Sequence, residues 1–170
     1  LYIRTKNHLK DRSQAGAEEQ SLLAAAYNRI RQEAKDRYPQ PEVEAFLASM
    51  SEPYIMTASA RRVIEHVGIV RQLPDEQLII RHRHYPERGY TELTVCAYDA
   101  YGMFYRTAGV IAARNLNILR AQVFTSKQGV MIDTFQITDH EGHICDYEIT
   151  WEGIHQDLRA TLMTERRPPE

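Results

Sequence analysis

The sequence has little that would mark it for a membrane, a secreted scaffold or nucleic acid. No apolar run approaches the roughly 18 residues that a membrane-spanning helix requires, and no basic-then-apolar leader stands at the start. Only two cysteines occur, Cys96 and Cys145. They cannot build a disulfide framework, so reduced thiols and a cytoplasmic setting are expected. Twenty-one basic residues against 23 acidic ones leave a formal charge of −2, without the electrostatic footprint of a nucleic-acid or anionic-membrane binder. Phosphate-binding glycine loops of the G-x-G-x-x-G or G-x-x-x-x-G-K-[ST] type are absent, as is a G-x-S-x-G nucleophile elbow. The 170 residues therefore offer no catalytic residues.

What remains is globular: 43% hydrophobic and 26% charged residues over 170 positions, enough for one domain with a helical appendage or for two small units. The first part reads as helix. In "EEQSLLAAAYNRIRQEAKDRY", Leu22, Ala26, Ile30 and Ala34 make an apolar stripe, with a loop expected before it over Asp11–Gly16. "YPQP" stops this helix, Pro41 suits the first turn of the next, and Val43, Phe46, Leu47 and Met50 form a second stripe. "SMSEPYIMTAS" reads as a linker. Thr57 or Ser59 can cap a further helix carrying Val63, Val67 and Val70, which Pro74 ends. These helices show no evident enclosed core of their own.

From Glu76 the texture becomes β. "QLIIRHRHYPERGYTELTVCAYD" reads as two strands around a Pro/Gly turn, with Leu93, Val95 and Ala97 on one face. A helix over 103–114 carries Phe104, Ala108, Ile111 and Ala112 on one side. Gly109 in its middle is easiest to accommodate if the helix lies close on a sheet. A second hairpin follows in "LNILRAQVFTSKQGVMIDTFQITD", turning at Gly129. A last helix then carries Trp151, Ile154, Leu158 and Leu162. From Glu92 the order is strand, helix, strand, strand, helix: an α+β, ferredoxin-like βαββαβ unit lacking its last strand. The opening on Leu1 and the closing "RRPPE" both read as cuts through something longer.

Histidines invite a metal reading that the pattern does not support. His82 and His84 share one face of a strand without a third ligand nearby, and are expected to be exposed. "HEGHIC", with His140, His143 and Cys145, is interrupted by Gly142 where a zinc-protease motif needs a helix. Cys96 reads as an inert strand thiol. The candidate base-stacking strands "TELTVCAY" and "VMIDTFQIT" carry one aromatic and one acid each and no Lys or Arg, unlike RNA-recognition strands. No metal site is expected.

The informative stretch is "YDAYGMFYRTAGVIAARNLNIL", 98–119. It is either ordinary punctuation, with Asp99 a cap, Gly102 a turn residue, and Asn115 and Asn117 helix-exit residues, or a turn that holds a small ligand with its backbone. Amides around Gly102 and Met103 open a helix and favour an anion. Asp99 can cap that helix or meet an ammonium, and Asn117, with the backbone of Ile118 and Leu119, can read a side-chain amide.

The segment "TELTVCAYDAYGMFYRTAGVIAARNLNILRAQVFTSKQGVMIDTFQITDHEG" resembles an ACT domain, the small amino-acid-binding module of metabolic regulation. More narrowly, "LNILRAQVFTSKQGVMIDTFQITD", "RGYTEL" and the helical lead-in "MTASARRVIEHVGIVRQL" resemble the first of the tandem ACT domains of the bifunctional PII uridylyltransferase/uridylyl-removing enzymes. "LYIRTKNHL" looks like the tail of their HD hydrolase domain. Family turns of this kind read Asp-x-Pro-Gly; here Tyr101 stands in place of the proline.

The resemblance implies a helical end of an upstream HD domain over 1–56, a connecting helix over 57–75 and an ACT domain over 76–165. It implies a regulatory piece that binds an amino acid, glutamine foremost, through Asp99, Gly102, Met103, Asn117, Ile118 and Leu119. The parent would use Mg and UTP to modify the PII signalling protein, with no cofactor in this chain. Side-by-side pairing into a homodimer is expected, favoured by an edge left open by the missing strand. Two alternatives stand: an ACT domain of another amino-acid-regulated enzyme, and an ACT-like interaction module without a small ligand.

Overall fold

The structure, a computed structural model, describes residues 2–163, with side chains over 16–147 and 150–163. It divides after Gly68 into two compact units. Among the described residues no helix is long and apolar enough to cross a membrane.

The first unit is helical. α1 (Tyr2–Ala34) runs unbroken through Asp11–Gly16, so the loop expected there is instead helix. Its stripe is buried at Ala26, Ile30 and Ala34, whereas Leu22 stays exposed. α2 (Gln40–Ser49) buries Val43, Phe46 and Leu47, the stripe expected of it. The presumed linker is a helix, α3 (Glu52–Thr57). Ser51 caps it by accepting the Tyr54 N–H, and Pro53 sits in its first turn, where a missing donor costs nothing.

α4 (Ala60–Val70) is capped by Ser59, whose hydroxyl accepts from the Arg62 N–H at 3.3 Å. Within this unit Phe46 meets Tyr54 edge-on with ring centres 6.0 Å apart, and the Tyr54 hydroxyl bonds His66 Nδ1 at 2.8 Å. Burial holds the imidazole neutral, pushing its pKa down to about 3, with Arg62 adding to the effect. The helices thus have an enclosed core of their own, contrary to the sequence-based expectation.

The second unit is the expected α+β, ACT-like arrangement. A short α5 (Leu73–Glu76) leads into β1 (Leu78–Tyr85), then β2 (Tyr90–Tyr98), α6 (Met103–Ala113), β3 (Leu116–Thr125), β4 (Val130–Asp139) and α7 (Glu148–Met163). All pairings are antiparallel and the sheet order is β1-β2-β4-β3. Leu93, Val95 and Ala97 of β2 share a core with Met131, Phe135 and Ile137 of β4, with Met103, Val110 and Ile111 of α6, and with Trp151, Ile154, Leu158 and Leu162 of α7. α6 and α7 are tied together by Arg114, which meets Asp157 at 2.7 Å across the backbone of Gly153.

Three expectations need correction here. The edge of β2 is not left open: β1 bonds along it from Leu78 opposite Ala97 to Tyr85 opposite Tyr90, so strand exchange has no vacancy there. The buried face of α6 is Met103, Thr107, Val110 and Ile111, turned by about one residue from the face expected. Thr107 tolerates burial because its hydroxyl donates to the Met103 carbonyl at 2.9 Å. Gly109 is exposed, and a Cβ added there would meet nothing within 4 Å, so close packing does not explain it. The terminal "RRPPE" lies outside the described residues.

Candidate functional site

The turn between β2 and α6 is built by one hydrogen bond and one left-handed glycine. Met103 N–H donates to the Ala100 carbonyl at 3.3 Å, and Gly102 has φ +79 and ψ 8. These are the angles of the third position of a type II turn; Tyr101 fills the second, the place proline favours. The Asp99 N–H is fixed to the Gly129 carbonyl at 2.7 Å, anchoring the turn to the β3–β4 hairpin.

Gly102 is the N-cap of α6, and no side chain caps the helix, so Asp99 does not serve as a cap. The first bond of the helix runs from the Arg106 N–H to the Gly102 carbonyl. The N–H groups of Phe104 and Tyr105 precede it and have no partner one turn back, which leaves two donors at the positive end of an 11-residue helix. The Tyr105 ring lies over Gly102, where any added Cβ would strike it. Tyr101 is 90% exposed and Tyr105 57%.

Asn117, Ile118 and Leu119 are elsewhere. Asn117 pairs with Thr138 at the far end of β4, whereas Tyr98, next to the turn, pairs with Val130 at the near end. Eight residues of strand separate the two levels, about 27 Å. The Asn117 amide donates to the Asp139 carbonyl at 3.1 Å, and Ile118 and Leu119 lie on the exposed outer strand of the sheet. Within one chain, therefore, Asp99, Gly102 and Met103 come together and the other three do not join them. Asn115 is in the left-handed region at φ +56, a helix-exit residue as its type allows.

A residue not singled out from sequence stands close to the turn. Asp133 is three residues along β4 from the turn end. It alternates with Met131 and Phe135, so it faces α6, and it is 1% exposed. Its Oδ1 has no hydrogen-bond partner. Burial, then the charge of Asp99, pushes its carboxyl up to about 7. The Cys96 thiol is in turn pushed up to about 12, by burial first and Asp133 second, which makes it the inert thiol expected. A polar residue in an inward position of an alternating strand was the available signal.

The histidines are not free on the surface, as had been expected of His82 and His84. His82 stacks on Trp151 with ring centres 4.7 Å apart, and its Nδ1 lies 3.1 Å from His155 Nε2 on α7. His84 bonds the Thr91 hydroxyl at 2.8 Å. Folding α7 onto β1 creates the His82 contacts, which no local pattern reveals, whereas His84 meets Thr91 as its partner across the β1–β2 hairpin. Asp139, Glu141 and His143 gather potential ligand atoms within 4.8 Å in the β4–α7 loop. Asp139 Oδ1 already accepts the N–H groups of Glu141 and His143, which holds its carboxyl below the ordinary range, so the cluster is a side-chain-closed turn.

No protein-family model matches the chain. Three relatives share one description, the bifunctional uridylyltransferase/uridylyl-removing enzyme. The protein of Azospirillum brasilense is 32% identical over 122 residues, 71% of this chain and 13% of that protein. That of Gluconobacter oxydans is 43% identical over 63 residues, 37% of this chain and 6% of its own length. That of Vibrio vulnificus is 26% identical over 143 residues, 79% of this chain and 16% of that protein. Across most of its length the chain is related to the bifunctional uridylyltransferase/uridylyl-removing enzymes, as a fragment that matches a sixth or less of such a protein.

Proposed function

We propose that this chain is a regulatory, amino-acid-sensing piece of a cytoplasmic PII uridylyltransferase/uridylyl-removing enzyme, with glutamine as its ligand. In this reading the β2–α6 turn receives the α-carboxylate on the N–H groups of Phe104 and Tyr105, and Gly102 permits the close approach. Occupancy then biases the parent between adding UMP from UTP to PII, with Mg, and removing it. Both chemistries belong to other parts of the parent. Pairing of two copies of the module, through the outer strand β3, would bring Asn117, Ile118 and Leu119 of one copy toward the turn of another.

The observation that carries the sensing role is the uncapped N-terminus of α6 behind a left-handed glycine. The N-cap is a glycine with no side chain to fill these donors, so they stay available to an anion at the mouth of the turn. The relatives' description supplies the enzyme context.

A thermal-shift panel of the twenty amino acids tests this. Glutamine at about 100 times its dissociation constant should stabilise by about 2.7 kcal/mol, a rise of about 5–11 °C in a chain of this size. Gly102→Val, which strains the φ and displaces Tyr105, should abolish the shift. No shift with any amino acid from folded wild-type protein would leave the interaction-module reading in its place.

A further inference from the structure

Asp133 is an unusual residue for the position it holds. Its neighbours on the same face are Met131 and Phe135 along β4, Val95 across to β2 and Val123 across to β3. Every one is apolar, and the α6 residues buried over this face, Met103, Thr107 and Val110, bring no charge. A carboxylate oxygen with no partner in such surroundings is costly. Among the described residues no partner for Oδ1 offsets that cost, which a leucine or valine would not incur.

The carboxyl is also connected to the turn. Phe104, whose N–H is one of the two open helix donors, stacks its ring on Phe135 at 5.5 Å, directly beside Asp133 on β4. The face is uncovered toward β3: Val123, the cross-strand neighbour of Asp133, is 51% exposed, and Phe104 is 41% exposed. An open apolar shelf thus runs from the helix N-terminus to a buried acid. A molecule with an anionic group at one end and a cationic group beside it matches those two ends.

We infer that Asp133 is the receptor for the α-ammonium group of the ligand, entered across the Val123–Phe104 shelf, and that it is the residue that restricts the turn to amino acids rather than other carboxylates. This rests on the sensing role proposed above. When the ammonium arrives, a protonated Asp133 gives its proton to solvent and the ammonium replaces it as partner of the orphaned oxygen. The carboxyl is raised to about 7, by burial and by Asp99 on the turn, so binding should tighten as pH rises from 6 to 8. Among the described residues the Cys96 thiol, which Asp133 influences in turn, is pushed up to about 12 and is silent in that range.

The test is isothermal titration calorimetry of the whole chain with glutamine and with glutaramate, the same molecule without its α-amino group. Wild type should bind glutamine at least about tenfold more tightly than glutaramate, the scale of a charge-assisted hydrogen bond. Asp133→Asn should bind the two alike and lose the pH dependence. If the variant does not fold, the wild-type preference and its dependence on pH decide alone. Equal binding of both compounds by wild type, or an Asp133→Asn variant that still prefers glutamine, overturns the role of Asp133 and leaves the sensor intact. Absence of binding by wild type of any of the twenty amino acids overturns the sensor and this role with it.

Discussion

The buried acid also makes a prediction about the protein without ligand. In the unfolded chain Asp133 ionises at the ordinary carboxylate value of 3.8; in the folded chain burial and Asp99 hold the proton on until about 7. Between these values the native state binds a proton that the unfolded state has lost, so stability falls as pH rises. The contribution is fully present below 3.8 and gone above 7. At 1.36 kcal/mol per unit the whole cost is about 4 kcal/mol, of which about 2 kcal/mol falls between pH 5.5 and 8.

Asp133→Asn removes this linkage while keeping the shape. Its second amide hydrogen leaves it no better than the acid at low pH, so the informative quantity is the change in the difference, not its absolute size. Urea unfolding of wild type and variant at pH 5.5, 6.5, 7.25 and 8 should show the variant gaining about 2 kcal/mol on wild type across the series. Every other titrating group cancels in the comparison. Curves that stay parallel to within about 0.5 kcal/mol would mean that Asp133 ionises normally, and the account of its surroundings would be wrong.

Two further substitutions probe the helix that carries the turn. Gly109→Ala fills open solvent-side space in mid-helix and should stabilise by about 1 kcal/mol, read as a rise of about 2–4 °C in Tm; a loss would mean that the glycine serves a contact the structure does not contain. Tyr101→Pro places proline at the second position of the type II turn and should stabilise by about 0.4–1 kcal/mol by limiting the unfolded chain; destabilisation in urea unfolding would show that the turn is of another type.

Local chemistry was readable where local chemistry decides. The three-and-four spacing of Trp151, Ile154, Leu158 and Leu162, and the alternation of Leu93, Val95 and Ala97, led directly to the elements and faces observed. Ser51, Glu52 and Pro53 carried a capping residue, a first-turn acid and a first-turn proline, yet their Ser/Pro composition suggested a linker. The distance of Asn117 from the turn within one chain has a different origin. Sequence put it 15 residues from Gly102, and a helix between two points invites the idea that its ends are neighbours. Instead an 11-residue helix spans the sheet, and register alone tells that its ends stand at opposite margins. The imidazole pair of His82 and His155 is separated by 73 residues and depends on the same long-range facts. Asp133 was visible as an acid in a strand, but its inward direction followed only from pairing with Val95 and Val123.

The way β1 closes the sheet has a consequence for how the module assembles. In a βαββαβ unit the strand beside the first one arrives last, after the second helix, and must close a loop of roughly 65 residues. Here that place is taken by β1, joined to β2 through Pro86–Gly89 alone. A loop some sixteenfold shorter is four doublings, about 2.4 kcal/mol less closure entropy to overcome. The margin of the sheet is thereby a local hairpin, able to form before α6 or α7 has docked. Only the β2–β4 pairing in the middle of the sheet still waits on distant chain, which moves the slow step of folding from the margin of the sheet to its centre.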